Sequence, residues 1–465
     1  MALTEISLAY GKSRINLFFS SEDLAGPVLS PRQPGEGANP DVADAISRAL
    51  EDPLASPRLR DLSRDRRVAL VLSDEFRAGR HLEIARGLLR EIAAGGPARV
   101  SVLIATGSHD RKIYGERIAD FARQALGEAG LPREPVFIND CDDENSHSLI
   151  GATPLGTPLF VHKELLRADL RVHGHEGKHH YMNGYSCFDK QIVPGLSIRK
   201  SIEANHKLAL HHDFSVAGRS PWIGDPARQH NPFGGDNRDS RQMSQRVVLK
   251  GDDLVPGQPA VFGLDMISEK GTVKWAAAGD PDRVTRRMVM EADDLSMFTV
   301  EPTRYVVISP GGPPASQALY GVQNCFDMAL KNAILPGGEA LVIAPCDGRP
   351  DLPPDVSGLA PDAKSRELFW DNLVKFSSQP LDVWNRFVGE NFELYLWKTD
   401  RVLKLFKENR ISIHMHCGLD PAVLAQGGFG SAPDPQAWIN QRAARKDGLF
   451  RVIDNGNRLF VKNSG

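Results

Sequence analysis

The sequence predicts an α/β protein: two α/β domains with largely parallel sheets. Three observations point there. The apolar runs VALVLS (68–73) and VSVLIATG (100–107), followed by PVFIND (135–140), read as strands buried on both faces, the usual condition of parallel strands. Helical patterns separate them, giving a strand–helix–strand–helix–strand order. A second unit of the same kind starts near residue 300, with YVVIS (305–309) and EALVIAPC (339–346) as strands. A chain of 465 residues has room for about two to four domains. We divide it at 1–285 and 286–465.

Residues 1–20 alternate apolar and polar side chains and predict a hairpin. Residues 21–65 are rich in Pro, Gly, Ser and Asp, with one helical pattern, VADAISRALED, and read as a surface-wrapping connection. After the strand at 68–73, HLEIARGLLREIAA (81–94) carries Leu82, Ala85, Leu89 and Ile92 on one helical stripe. A second helix is expected over 114–129, and a short hairpin and helix over 151–172. Residues 173–206 follow as a Gly- and Pro-punctuated loop holding His173, His175, His179, His180 and Lys190, closed by a helix that Ser197 would cap and that ends at His206. Ile198, Ile202 and His206 fall at i, i+4 and i+8, so His206 points inward.

Residues 215–258 are polar and too long for an ordinary connection, which suggests a lid or an oligomer contact. A hairpin turning at EKG is expected over 261–280, then a helix from Pro281. Past residue 300 come a helix over SQALYGVQNCFDMALKNAI, further helices over SRELFWDNLVKF and LYLWKTDRVLKLFKEN, a strand at ISIHMHCGL (411–419), and a terminal hairpin with Asn455-Gly456 in its turn.

The bulk numbers exclude several function classes. A net charge of −3 gives no reason to expect nucleic acid or an anionic membrane as partner. No apolar run is long enough to span a bilayer, and the N-terminus lacks the order of a secretory leader, so the cytoplasm is the expected compartment. The 5 cysteines form no CxxC pair, which argues against a disulfide framework or a thiolate zinc site.

The chemistry is concentrated in the histidines. Imidazole is both the acid–base group nearest neutral pH and a common ligand of borderline metals. In an open parallel sheet, ligands bind beyond the carboxyl ends of the strands. Asp74 and Arg77 follow the first strand and His109 follows the second, so position alone makes them candidates. His173 with His175, and His414 with His416, each put two imidazoles on one face of an extended segment, a spacing some zinc hydrolases use, yet neither continues into HxHxDH or HExxH. SPGGPP (309–314) is a tight turn rather than a phosphate-binding loop. Nothing around Cys187 marks it as an activated thiol.

Taken together, DEFR (74–77), ATGSH ending at His109, HYMNGYSCFDKQIVPG (180–195) and the pair Asn205-His206 resemble the nickel-pincer lactate racemase family. That family's pattern is a DxxR loop, an ATGxH loop, H-x3-G-x-S-x3-K-x-I-x-PG, and Asn-His sixteen residues after the lysine. Here the positions are Asp74 and Arg77; His109; His180, Gly184, Ser186, Lys190, Ile192, Pro194 and Gly195; and Asn205 and His206. SPGG, PGGEALVIAPC and AGDP are similar as well.

The resemblance implies a cofactor, the pyridinium-3-thioamide-5-thiocarboxylic acid mononucleotide that holds nickel. Lys190 would be its covalent anchor, Asp74 and Ser186 would contact it, and His206 would be the protein's nickel ligand. His109 and His180 would be the acid–base pair on the two faces of the substrate, with Arg77, Tyr320 and Asn324 binding it. The domain at 1–285 would then carry the cofactor, the domain at 286–465 would contribute to the substrate pocket, and the active site would lie in the cleft between them.

Two departures from the family pattern bear on specificity. Cys187, Phe188 and Asp189 stand where glycines are usual. On the helix after SPGG, Gly321 and Asn324 replace the family's Gln and Lys, which weakens carboxylate binding there and leaves room for a longer, hydroxylated acid. The expected function is racemisation or epimerisation at C2 of a 2-hydroxy acid larger than lactate, for example a sugar acid such as gluconate. The alternatives are a racemase of lactate or another simple 2-hydroxy acid, a zinc-dependent hydrolase built on His173 and His175, and a protein that binds the cofactor or a sugar acid without turnover.

Overall fold

The computed structural model describes residues 3–33, 41–75, 79–211, 217–269, 271–348 and 358–464. They divide into two compact units: residues 33–209 with 219–294, and residues 1–32 with 210–218 and 295–465.

The first unit is organised on a six-stranded sheet in the order Thr272–Gly279, Ala260–Glu269, Leu170–Glu176, Arg67–Ser73, Arg99–Ala105, Val136–Ile138. Every pair is parallel except the hairpin at the first edge. The run VALVLS is apolar throughout because both faces of its strand are covered. Leu70 and Leu72 pack with Ile84 and Leu88 of the helix His81–Gly95, while Ala69 and Val71 pack with Leu165, Ile192 and Val193 on the other side. Each such side chain contributes roughly 1.5–3 kcal/mol by leaving water, so the run holds the sheet's centre. The helix stops at Gly96, whose φ of +70° ends the α conformation.

Four expectations within this unit are corrected. Residues 170–176, LRVHGHE, form an inner strand, where the end of a helix was expected up to 172 and a loop from 173. Polar residues broke the apolar pattern there, yet His173 and His175 are both buried and hydrogen-bonded. Ser197 does not cap the helix Arg199–Lys207; its hydroxyl donates to the Ile192 carbonyl, and Ile198 occupies the cap position. The helix expected over 114–129 is two, Arg111–Tyr114 and Glu116–Glu128, meeting at Gly115. The stretch 215–258, expected as a lid or an oligomer contact, is not a loose lid over its described length: it contains the helix Pro232–Ser244, with Asp236, Asn237, Ser240 and Arg241 buried, and a hairpin, Val247–Lys250 with Asp253–Pro256. Its polarity misled because these side chains pair inside the fold.

The second unit holds a five-stranded, all-parallel sheet in the order Gly430–Ser431, Ser412–His416, Ile334–Ile343, Thr303–Ile308, Phe450–Ile453. The N-terminal hairpin, Leu3–Tyr10 with Ser13–Ser20, belongs to this unit and not to the domain at 1–285. The reason is its one apolar face: Ile6, Leu8, Leu17 and Phe19 are buried against Tyr305, Val307, Trp438 and Phe450. The tail is not a hairpin either. Phe450–Ile453 joins the main sheet, whereas Phe460–Asn463 pairs in parallel with Met297–Val300. Among the described residues no helix is long and apolar enough to cross a membrane.

Candidate active site

The site begins at a switch in strand order. From the strand Arg67–Ser73 the chain moves to Arg99–Ala105 and Val136–Ile138 on one side, then returns to Leu170–Glu176 on the other. Loops leaving the carboxyl ends there diverge and open a crevice. Asp74 and the loop ending at His109 stand at that edge.

Asp74 is fully buried and its carboxylate is hydrogen-bonded to Nδ1 of His109. A carboxylate only accepts, so Nδ1 carries the ring proton and Nε2 of the neutral imidazole keeps its lone pair. The His109 side chain is 25 % exposed. It is thus a partly accessible base whose orientation is fixed from behind. The loop carrying it rests on the next motif: Gly107 N donates to the Gly195 carbonyl at 3.0 Å, and a Cβ on Gly107 would fall 3.1 Å from Pro194.

That motif starts as a small ribbon, Lys178–His180 paired with Gly184–Ser186, in which His180 faces Gly184. Gly184 has φ +78°, and a Cβ there would lie 1.8 Å from the Arg219 carbonyl oxygen, so only glycine fits. The tight turn directs two backbone donors, Met182 N and Asn183 N, onto Nδ1 of His180 at 3.1 Å each. With Nδ1 accepting, the proton of the neutral ring sits on Nε2. Lys190 Nζ lies 3.0 Å from that Nε2. The contact closes as a hydrogen bond when the imidazole donates and the lysine accepts as a free amine, which is the form in which a lysine acts as a nucleophile.

Lys190 sits in the short turn Phe188–Gln191 and is 4 % exposed. Its Nζ is 5.6 Å from the centre of the Phe233 ring, and the His206 ring meets the same Phe233 edge-on at 5.2 Å. His206 donates from Nδ1 to the Ile202 carbonyl at 2.8 Å, which leaves Nε2 as the nitrogen with a lone pair for a metal. Beside it, Asn205 Nδ2 donates to Asp236 at 2.7 Å, and Thr157 donates to the same carboxylate at 2.8 Å.

The residues that replace glycines are absorbed by their surroundings. Asp189 is fixed by Arg241 at 2.7 Å and by the indole N–H of Trp222 at 2.6 Å. Phe188 occupies space in front of Gly263, where a Cβ would fall 2.6 Å from its ring. Cys187 is buried, and burial together with Asp189 pushes its thiol well above the usual range, which makes it inert. Trp222 and Arg241 come from the 215–258 stretch, so that segment braces the lysine turn from behind. Pattern reading did not find either residue; a tryptophan and an arginine in a Gly/Pro-rich stretch were the available signal.

His173 and His175 serve as supports. His173 Nδ1 meets Gln191 Oε1 at 2.9 Å, and Gln191 Nε2 donates to the Gly174 carbonyl and to Ser73. Burial pushes His173 down to about 3. His175 bridges Asp265 at 3.2 Å and Ser186 at 3.1 Å, which holds Ser186 in the loop before Lys190. Among the described residues no three His, Cys, Asp or Glu side chains converge as a metal-binding group. The donor set of a zinc hydrolase is therefore not assembled around His173 and His175.

In the other unit, Tyr320 and Asn324 follow the SPGG turn at the carboxyl end of Thr303–Ile308. The Tyr320 ring is packed edge-on by Phe369 and Tyr395. Lys398, from the helix Leu396–Lys407, donates to the Tyr320 carbonyl at 2.5 Å and to Asn324 Oδ1 at 2.8 Å. The structure thus joins Asp74 to His109, sets His180 on Lys190, and lines Lys190 and His206 along Phe233. Arg77 lies outside the described residues.

Comparison with known proteins gives a consistent picture. Residues 10–218 match the family profile described as the lactate racemase N-terminal domain. A lactate racemase of Thermoanaerobacterium thermosaccharolyticum is 26 % identical over 345 residues, 74 % of this chain and 74 % of that protein. A lactate racemase of Lactiplantibacillus plantarum is 27 % identical over 206 residues, 44 % of this chain and 47 % of that protein. Among solved structures, the lactate racemase apoprotein from T. thermosaccharolyticum superimposes with a TM-score of 0.74 at 21 % identity, over 99 % of this chain and 100 % of that one. A Thermotoga maritima protein follows at TM-score 0.62 and 13 % identity, over 93 % and 100 %.

Proposed function

We propose, from the match of residues 10–218 to the lactate racemase N-terminal domain and the likeness to two lactate racemases, that the chain is an isomerase that inverts C2 of a 2-hydroxy acid and works with a nickel-pincer mononucleotide. The observation that carries this reading is the 3.0 Å contact between His180 Nε2 and Lys190 Nζ, which sets an acid–base imidazole against the lysine amine.

The residues fit such a cofactor. Lys190 offers an amine for covalent attachment and His206 offers Nε2 to nickel, and both approach the Phe233 ring. Ser186 and Asp74 are further contacts in this reading. When bound, the cofactor supplies an electron-poor centre able to take up and return the C2 hydrogen with its electron pair.

The rest is protein chemistry. A C2–H beside a carboxylate is poorly acidic, so the base acts on the hydroxyl. His109 accepts that proton at Nε2, and Asp74 behind it stabilises the imidazolium. His180 is the second acid–base imidazole in this reading, with Nε2 as the nitrogen it presents, because Nδ1 is held by the backbone of Met182 and Asn183. The two configurations exchange these roles, which is why two imidazoles are needed. The resemblance implies substrate-binding roles for Arg77, Asn324 and Tyr320. With Gly321 and Asn324 in place of longer side chains, the substrate is a 2-hydroxy acid larger than lactate, of the sugar-acid class.

The test is a panel of enantiopure 2-hydroxy acids and aldonates, given to protein made alongside the cofactor-synthesis proteins and followed by chiral chromatography. Inversion of an aldonate such as gluconate ahead of lactate is expected. Lactate as best substrate would overturn the size argument, and an absence of C2 exchange in adduct-bearing protein would overturn the activity.

A further inference from the structure

Four polar side chains form a line whose hydrogen-bond polarity is fixed at every step. Asp327, 1 % exposed, accepts from Gln323 Nε2 at 3.0 Å. The oxygen of Gln323 then faces Lys398 Nζ at 3.2 Å. Lys398, also 1 % exposed, donates to Asn324 Oδ1 at 2.8 Å. An ammonium has donors and no acceptor, so the amide oxygen of Asn324 must face it and its NH2 must point away. Asn324 is half-buried, at the outer end of a line whose other members are buried. The backbone carbonyl of Tyr320 takes another Lys398 proton, and the ammonium sits 3.9 Å from the Tyr320 ring centre, so the cation is held in place on several sides.

We propose that Lys398 is a positioning residue that turns Asn324 into an obligatory N–H donor for the substrate carboxylate, with its own charge standing one side chain behind. This rests on the reading of Asn324 as a substrate-binding residue. It changes the meaning of the neutral residue at 324: the positive charge is retained and is delivered by a different helix, screened by an amide. Burial pushes Lys398 well below the usual lysine range and Asp327 pulls it back up, so a carboxylate bound nearby acts in the same sense as Asp327 and favours the charged form. The ligand class is an acid with a free carboxylate, and the corresponding neutral amide is discriminated against. A side chain as short as asparagine in front of the cation also leaves space for further hydroxylated carbons.

Cofactor-bearing protein would be titrated calorimetrically with D-gluconate, D-gluconamide, L-lactate and L-lactamide. The wild type is expected to prefer each acid over its amide. Lys398→Met should weaken acid binding about tenfold or more and amide binding clearly less, since the loss of Asn324 orientation touches both ligands and the loss of charge only the acid. Asn324→Asp should remain folded, because a carboxylate there pairs with Lys398, and should lose acid binding by about a hundredfold. In turnover the effect should fall on KM rather than kcat. Equal weakening of acid and amide, an unchanged Asn324→Asp, or a wild type without acid preference would overturn the assignment. Racemisation by the wild type is read separately: turnover with indifferent variants sinks this inference alone, whereas carboxylate selectivity without C2 exchange sinks the activity and leaves it standing.

Discussion

Arg241 Nε meets Asp189 Oδ1 at 2.7 Å with both side chains 1 % exposed, directly beside Lys190 in sequence. A buried ion pair is costly to break, because the surviving partner keeps its charge without water. Asp189→Ala leaves Arg241 its second carboxylate partner, Asp282, so it should lower stability by somewhat less than the roughly 3–5 kcal/mol of a pair broken outright, read from urea unfolding. Asp189→Leu combined with Arg241→Met should recover part of that loss. A midpoint unmoved by Asp189→Ala would mean that the lysine turn is held by something else.

Asp74→Asn offers His109 an amide that can donate to Nδ1 and so moves the ring proton to Nε2. Turnover should drop about 10²- to 10⁴-fold, with little change in KM and with the cofactor adduct still present by mass. Unchanged kcat would show that His109 is not the base.

Lys190 and His206 should separate by assay. Lys190→Met should abolish the mass adduct in protein made with the cofactor-synthesis proteins. His206→Ala should keep the adduct and lose nickel by metal analysis. An adduct that survives Lys190→Met would place the attachment elsewhere.

Gly184→Ala places a Cβ 1.8 Å from a backbone oxygen at φ +78°. Left-handed strain alone costs about 1–2 kcal/mol, and backbone at Arg219 cannot yield as a side chain would. The variant should lose the His180 turn, with little adduct formed and a lower unfolding midpoint. Wild-type loading and stability would contradict the geometry.

Acid should weaken the fold through buried neutral histidines. Burial pushes His162 and His173 down to about 3 and His179 to about 4. In the unfolded chain these groups protonate at about 6.5. Their contribution is therefore complete above about pH 6.5 and declines as pH falls towards 3–4, by up to about 1.4 kcal/mol per pH unit for each histidine. Urea midpoints between pH 7.5 and 5 should follow this slope, and His162→Phe, which keeps a ring beside Phe137, should flatten it. A slope unaffected by that change would assign the acid sensitivity to other groups.

The sheets and the motif residues were legible because each rests on short-range rules. Two-sided burial makes an apolar run, as at 68–73, and a glycine-bearing turn that aims backbone donors leaves a fixed spacing, as from His180 to Lys190. Polar interiors were not legible. The strand carrying His173 and His175, and the helix carrying Asp236 and Arg241, look solvent-exposed in composition, because only a partner distant in sequence makes their burial favourable. The N-terminal hairpin shows the same limit: its alternation predicts one covered face, but the cover comes from residues 305–452.

By itself, then, the sequence determined the α/β class and singled out the histidines and the lysine for which we propose the chemistry. Tertiary structure alone decided which nitrogen of each imidazole carries the ring proton, that Asp189 pairs with Arg241, and that Lys398 stands behind Asn324. Hydrogen-bond polarity and the stability of a buried charge are set by groups brought together through space, and a linear pattern records only one member of each pair.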